Sequence, residues 1–247
     1  MAAPRTRNAL IVGAVVVVAL IAGGIFWYVS RDSPDEVDLD SAAEEVRERT
    51  STTAPGSGET APEGVEGTWT VDTETGEFDY DTATGSFVGF RVEEELANIG
   101  AATAVGRTGE LTGTLTIDGT SVTEASFEVD MTTITTNESR RDGRVQEALH
   151  TDQHPTATFE LTEPIELGDA ASSGQVTAEA TGELTVNGIT KPLTIPIEAE
   201  LVNDTIVVVG STVVVFSDFD VEVPSAPVVV SADDRGTLEL KLLFVRA

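Results

Sequence analysis

An all-β domain occupies most of this chain, and three observations predict it. From Gly67 onward, apolar and polar residues alternate with a period of two, as strands with one buried face require. Two of these runs meet at Asn187-Gly188, a dipeptide that supplies both positive-φ positions of a type I′ hairpin turn, and Asp118-Gly119 is a second such signal. The strands recur at short spacing, about eight in all, which is the pattern of a sandwich or a barrel.

The elements ahead of that domain differ in character. Residues 1–8 carry Arg5 and Arg7. Ala9 to Val29 then runs without a charge and is rich in Val, Ile, Leu and Ala. At 1.5 Å per residue this stretch reaches about 30 Å, the thickness of a bilayer core. It is predicted to be one transmembrane helix, a signal anchor. Arginines before it and Asp32, Asp35, Glu36 and Asp38 after it keep the N-terminus cytoplasmic and the remainder extracytoplasmic. A cleaved signal peptide is the rival reading, but its apolar core is usually shorter and ends in a small-x-small site, which is missing here. Residues 30–66 are expected to be a flexible acidic linker. Asp35 to Arg49 suits a short charged helix without a convincing apolar stripe, and 51–64 has the Ser, Thr, Gly and Pro composition of a spacer.

The β domain, 67–247, opens with Trp69 and Val71 and continues through Phe87–Val92. Leu111, Leu115 and Ile117 alternate with Thr, and Phe127, Val129, Met131, Phe159 and Leu161 follow. Asn137 to Leu149 departs from period two and reads as a helical excursion capped by Asn137 or Ser139. The central hairpin places Leu184, Val186, Ile189, Leu193, Ile195 and Ile197 on one apolar side. Ile206–Val209, Val213–Phe216 and Leu238–Phe244 complete the strands. Ile206-Val-Val-Val209 and Val213-Val-Val-Phe216 are apolar on both faces, so the outer face needs a cover, from a second layer or from the other subunit of a homodimer.

Charge and composition exclude several classes of function. A net charge of −29, with 43 acidic against 14 basic residues, leaves no basic patch for nucleic acid or anionic headgroups. No cysteine is present, which excludes disulfides, thiolate metal sites and Cys nucleophiles. No Gly-x-Ser-x-Gly elbow, P-loop or dinucleotide fingerprint occurs, so the chain is expected not to be an enzyme and to need no cofactor. His150 and His154 have the spacing of a helical zinc pair with Asp152 nearby, but Pro155 disfavours helix there. Asp72-Thr-Glu-Thr-Gly76 and Asp81-Thr-Ala-Thr-Gly85 lack the spacing of a calcium loop and read as two turns flanking a short strand.

Several segments, in order, resemble the YceI-like family. They are Trp69-Thr-Val-Asp72, Ser86-Phe-Val-Gly-Phe-Arg-Val92, and Val105-Gly106 followed by Leu111-Thr-Gly-Thr-Leu115. Next come Phe127-Glu-Val-Asp-Met-Thr-Thr-Ile134, Arg140-Arg-Asp-Gly-Arg144 and His154-Pro-Thr-Ala-Thr-Phe159. The most diagnostic is Gly182-Glu-Leu-Thr-Val-Asn-Gly-Ile-Thr-Lys-Pro192. The resemblance covers Trp69 to Val245 and implies an antiparallel, eight-stranded, lipocalin-like barrel that binds a polyisoprenoid lipid. A barrel of that size is just wide enough for one slender ligand. The pocket walls expected from it are Val88, Phe90, Val92, Leu115, Ile117, Phe127, Val129, Phe159, Leu184 and Val186. Arg141 and Arg144, near the expected barrel mouth, are the headgroup candidates, since a guanidinium meets a pyrophosphate bidentately. Arg141, Asp142 and Arg144 also suit a surface pair that holds the loop, and Arg91 suits a pair with a neighbouring carboxylate. The function expected is a membrane-tethered binding protein that sequesters or carries an apolar isoprenoid-type lipid. The alternative is a solid-core structural module of the envelope.

Overall fold

The structure, a computed structural model, describes residues 33–52, 64–80, 83–97, 100–136, 139–168, 174–223 and 229–247. The chain divides into two compact units, Met1–Ser33 and Pro34–Ala247. The predicted membrane helix, 9–29, lies outside the described residues. Among the residues described, no helix is long and apolar enough to cross a membrane.

The second unit is a closed antiparallel barrel with two helices. Strand β1 (Gly67–Val71) pairs on one side with β4 (Leu111–Asp118) and on the other with β13 (Arg235–Arg246). Between these run β5 (Ser121–Asp130), β7 (Thr156–Leu161), β9 (Gln175–Val186), β10 (Ile189–Val202) and β11 (Thr205–Val215). The ring β1-β4-β5-β7-β9-β10-β11-β13 therefore closes on itself with eight strands. The two Val-rich runs expected as separate strands are one strand, β11, because Gly210 between them stays extended and pairs with both neighbours.

One strand position of the ring is divided. β2 (Phe87–Leu96) lies beside β13 at Thr237–Lys241, while β1 takes Phe244–Arg246. Residues between β1 and β2 leave the wall, and Ser86 mends the gap. Its hydroxyl donates to the Asp72 carbonyl (2.7 Å) and accepts the Leu243 amide (3.0 Å), while the Asp72 amide donates to the Leu243 carbonyl (2.7 Å). In the excursion the Asp72 carboxylate accepts the amides of Glu74 and Thr75, and the Thr84 hydroxyl accepts the amide of Glu77. The turn expected at Asp72–Gly76 is present, while the one expected at Asp81–Gly85 falls partly outside the described residues. The short strand expected between them is absent among the described residues, since these side-chain bonds take the place of a ladder.

Beyond β2 the sheet continues into β3 (Gly100–Thr108) and the two-residue β6 (Thr135–Thr136). β8 (Ile165–Glu166) pairs with β5, and β12 (Val229–Ala232) pairs with β2. The central hairpin turns at Asn187 (φ 52) and Gly188 (φ 72), both positive as a type I′ turn demands. A second two-residue turn, Asn203-Asp204, joins β10 to β11. The helical excursion is α2 (Ser139–Ala148), while Asn137 lies outside the described residues.

The expected flexible linker needs a correction. Residues 34–52 are a structured strap, with helix α1 (Leu39–Thr52) packed on the outside of the barrel. Asp38 caps it, its carboxylate accepting the Ser41 amide (2.9 Å), and these bonds hold the Asp38 carboxyl below its ordinary pKa. Leu39, Ala42, Ala43 and Val46 recur at i, i+3, i+4 and i+7, a helical stripe, and all four are buried. They meet Val202, Val207, Val209 and Leu243. The outer face of the first Val-rich run, at Val207 and Val209, is thus covered by the chain's own helix, while Val213 and Val215 of the second run stay exposed.

Next to α1 the strap lies over charged residues. Glu239 of β13 holds two guanidinia, Arg91 Nε at 2.7 Å and Arg107 Nε at 2.8 Å, and all three side chains are buried. The remaining guanidinium donors reach the strap backbone. Arg91 Nη2 donates to the carbonyls of Pro34 and Asp35, and Arg107 Nη2 donates to that of Asp35 (2.9 Å). Lys241 reaches Glu45 of α1 (2.6 Å), and the Arg107 guanidinium lies 4.5 Å from the Phe87 ring centre.

Candidate functional site

The barrel is hollow. A cavity of about 550 Å³ runs through it. Its shape follows from the sequence. On β9 both Val176 and Val186 line it, which spans about 33 Å of strand, or about 25 Å along the axis of a tilted barrel. The space is therefore a slot that suits a slender chain.

Aromatic–glycine pairs keep the slot open. Phe127 lies flat on Gly113 of the next strand, Phe159 on Gly182, and Phe90 on Gly106. A Cβ at those glycines would come within 2.3, 2.5 and 2.6 Å of the respective rings. Each ring thus thickens the wall where glycine has thinned it, and the Phe127 ring also meets those of Phe159 (6.4 Å) and Phe244 (5.9 Å). Ala125, Ala157 and Ala180 leave further room. A solid core, the alternative expected from sequence, is not what the barrel holds.

Nine of the ten candidate wall residues line this space. Val88 and Phe90 come from β2, Leu115 and Ile117 from β4, and Phe127 and Val129 from β5. Phe159 of β7 and Leu184 and Val186 of β9 complete them. Val92 does not; it is buried beside Gly236, next to the Phe216 ring. The candidate set omitted Ala180, Ile206, Val208, Leu240, Leu242 and Phe244, which also form wall. Their signal was present in part: Leu238, Leu240 and Leu242 alternate with Glu239 and Lys241, but Leu242–Phe244 and Ile206–Val209 are unbroken apolar runs.

The headgroup candidates are not brought to the cavity. Asp142 accepts both the amide and the hydroxyl of Thr136 (2.7 Å each), which fixes the rotation of α2. Arg141 then turns to Glu94 of β2 (3.4 Å) and Arg144 is exposed, so the segment touches the slot only through Leu149. Arg141 thus pairs with Glu94, and Asp142 with Thr136. Arg91 is paired with a carboxylate, as one reading of it expected. His150 follows α2 at φ 47, with Nδ1 3.2 Å from Asn187 Oδ1, and His154 lies against Gly188. No cluster of metal-ligating side chains occurs among the described residues.

Chemically the slot offers burial and little else. Apart from Thr108, Thr158 and Glu200, its lining side chains are apolar, and the Glu200 carboxylate is engaged by Arg47 of α1. An apolar molecule gains about 0.8 kcal/mol for each methylene it buries there. Its volume falls in the ordinary range for small-molecule sites, roughly 300–1,000 Å³.

A family model described as the YceI-like domain matches residues 60–244. The chain belongs to the YceI-like family. Among its relatives, a UPF0312 protein of Pseudomonas aeruginosa is 32% identical over 114 residues, 44% of this chain and 54% of that protein. The YceI protein of Shigella flexneri is 31% identical over 121 residues, 47% of this chain and 56% of the relative. The chain thus spans about half the length of the curated relatives it matches. Two solved structures share the YceI-like fold. A polyisoprenoid-binding domain from Saccharophagus degradans, implicated in plant cell wall breakdown, superposes with a TM-score of 0.54 at 15% identity, covering 72% of this chain and 98% of that one. BcnA of Burkholderia cenocepacia gives 0.52 at 17% identity, covering 70% and 98%.

Proposed function

We propose that this YceI-like chain binds one apolar, isoprenoid-type lipid in its barrel without turning it over. In this reading Ala9–Val29 tethers the barrel to the extracytoplasmic side of a membrane. The observation that carries it is the slot itself, long, narrow and almost wholly apolar, kept open by the aromatic–glycine pairs. Membership of the YceI-like family, and the polyisoprenoid-binding domain that shares the fold, favour a prenyl chain among apolar ligands. The lipid chain supplies affinity through burial. Its headgroup stays at the end of the slot, because the walls hold no charged group free to pair with it.

The test uses the full chain in phosphatidylcholine nanodiscs. An organic extract analysed by mass spectrometry is expected to contain a prenyl lipid enriched over empty nanodiscs. Retinol, a fluorescent isoprenoid alcohol, is expected to accept excitation energy from the buried Trp69 in a Trp27→Phe background. A preparation that yields no such lipid and takes up no retinol refutes the reading.

A further inference from the structure

The barrel wall contains a seam, and its cause is visible in the sequence. Both turns that bound β10 fix its hydrogen-bond parity. In a two-residue hairpin the flanking residues form a bonded pair. Val186 with Ile189 and Val202 with Thr205 are such pairs, so odd-numbered residues of β10 bond to β9 and even-numbered ones bond to β11. The β10–β11 ladder runs from Val202↔Thr205 to Ile197↔Gly210 and stops there. The next bonded pair would be Pro196 with Ser211, and two bonded pairs further on Pro192 with Val215. Proline has no N–H to donate, and both prolines turn their missing donors toward β11.

The two halves that part are not frayed ends. Ile189–Pro196 stays fully paired to β9, and Ser211–Val215 stays fully paired to β13. Across the seam the Thr212 hydroxyl donates to the Thr194 carbonyl (3.2 Å), a side chain serving where a backbone amide would. Below the seam the hairpin tip is latched. Asn187 Nδ2 donates to the carbonyls of Phe219 (3.1 Å) and Asp220 (3.3 Å). Ile195, Ile197, Val214 and Phe219 line the slot on the inside. On the outside Val213 is 57% exposed and Val215 is 38% exposed, so apolar surface continues from the slot to the exterior.

We infer that this Pro192–Pro196 seam between β10 and β11 is the portal through which an apolar chain enters and leaves the barrel. The inference rests on the lipid-binding reading above and adds the route. Lateral opening there breaks side-chain contacts and one side-chain hydrogen bond. At the paired joints between the other strands of the ring it would break a backbone ladder. A chain can then slide in sideways with its headgroup still in water or lipid.

The absence of cysteine makes the test clean. Thr194 and Val213 are both exposed and would face each other if the ladder continued. The full chain carrying Thr194→Cys and Val213→Cys, in nanodiscs, is joined by a short bis-maleimide with a cleavable disulfide spacer. Retinol uptake from donor vesicles and its release are then followed by energy transfer from Trp69. Both rates are expected to fall at least tenfold with the affinity unchanged, and reduction of the spacer is expected to restore them. The same bridge between Thr185→Cys and Thr190→Cys, a half-buried and an exposed residue paired in the intact β9–β10 ladder, is expected to leave the rates unaltered. A second variant, Pro192→Val with Pro196→Val, restores both donors and is expected to slow exchange without any bridge. Unchanged rates in a fully bridged chain overturn the portal while leaving the lipid reading intact. Failure of the unbridged chain to take up retinol overturns both.

Discussion

Strand β13 is buried on both faces, and the two faces are buried differently. Leu238, Leu240, Leu242 and Phe244 point into the slot, where each has wall on its sides and space in front. Glu239, Lys241 and Leu243, alternating with them, lie under the strap in full contact with Arg91, Arg107, Glu45 and the α1 stripe. The inner face is apolar and under-packed; the outer face is partly charged and filled. The difference separates two jobs along one strand. The outer face and its strap make the wall rigid, so the inner face need not close upon itself to keep the fold.

The largest effect that would break this contrast lies at Glu239. Its carboxylate compensates two buried guanidinia, and Glu239→Gln keeps the size while removing the charge. Leaving buried charge uncompensated costs about 3–5 kcal/mol. Urea unfolding is expected to show a loss of that order, with retinol affinity of the folded protein unchanged. A loss below about 1 kcal/mol would mean that the outer face is no more demanding than an exposed surface, where ion pairs are worth about that or less.

Neighbouring leucines sharpen the contrast further. Leu243 is 1% exposed and packs on α1, so Leu243→Ala removes contacts on every side and is expected to cost about 3 kcal/mol. Leu242 is 4% exposed but faces the slot, where part of its surface has no partner atoms to lose. Leu242→Ala is expected to cost about half as much, measured in the same unfolding experiment without ligand. Equal costs would contradict an open slot. Filling the space tests it from the other side. Ala180→Phe is expected to weaken retinol binding at least tenfold while stability shifts by less than about 1.5 kcal/mol, within the tolerance for a hydrophobic swap that finds room. Retained affinity would show that ligand does not occupy that level of the barrel.

How much of this was legible beforehand differs between the two faces in the same way. Inward residues follow period two, and Phe127, Val129, Phe159 and Leu184 could be read off the alternation. Hollowness was not legible from any one strand. It depends on which glycine faces which ring, and that is set by register between strands. The strap was misread because its acidic residues dominate its composition. Leu39, Ala42, Ala43 and Val46 do form a helical stripe, but alanines contribute little hydrophobicity until the valines of β11 are known to need a cover. Arg141 and Arg144 lie off the slot for another reason. Sequence placed α2 near the mouth, but its rotation is set by the two bonds that Thr136 donates to the Asp142 carboxylate, which spacing cannot reveal. The Pro192–Pro196 spacing, by contrast, was printed in the hairpin from the start. Its meaning needed only the parity that Asn187-Gly188 imposes.

The smallest effect concerns Lys241, the one lysine on the filled face. Burial holds its pKa below the ordinary value of 10.5, against the pull of Glu45 in the opposite direction. The unfolded chain therefore keeps a proton on this group at pH values where the folded chain has begun to release it. Stability rises with pH wherever the unfolded state binds more protons. Between the lowered pKa and 10.5, Lys241 is thus expected to make the protein more stable as pH increases, and below that window its burial cost is present in full. The shift is partial because Glu45 opposes the effect of burial, so the effect is modest. Subtracting the pH–stability curve of Lys241→Met from that of the unaltered chain isolates it, since every other group titrates in both. A flat difference through that window would mean that the lysine keeps its hydration under the strap. The outer face would then be wetter than its packing implies, and the contrast with the slot would narrow to hydrophobicity alone.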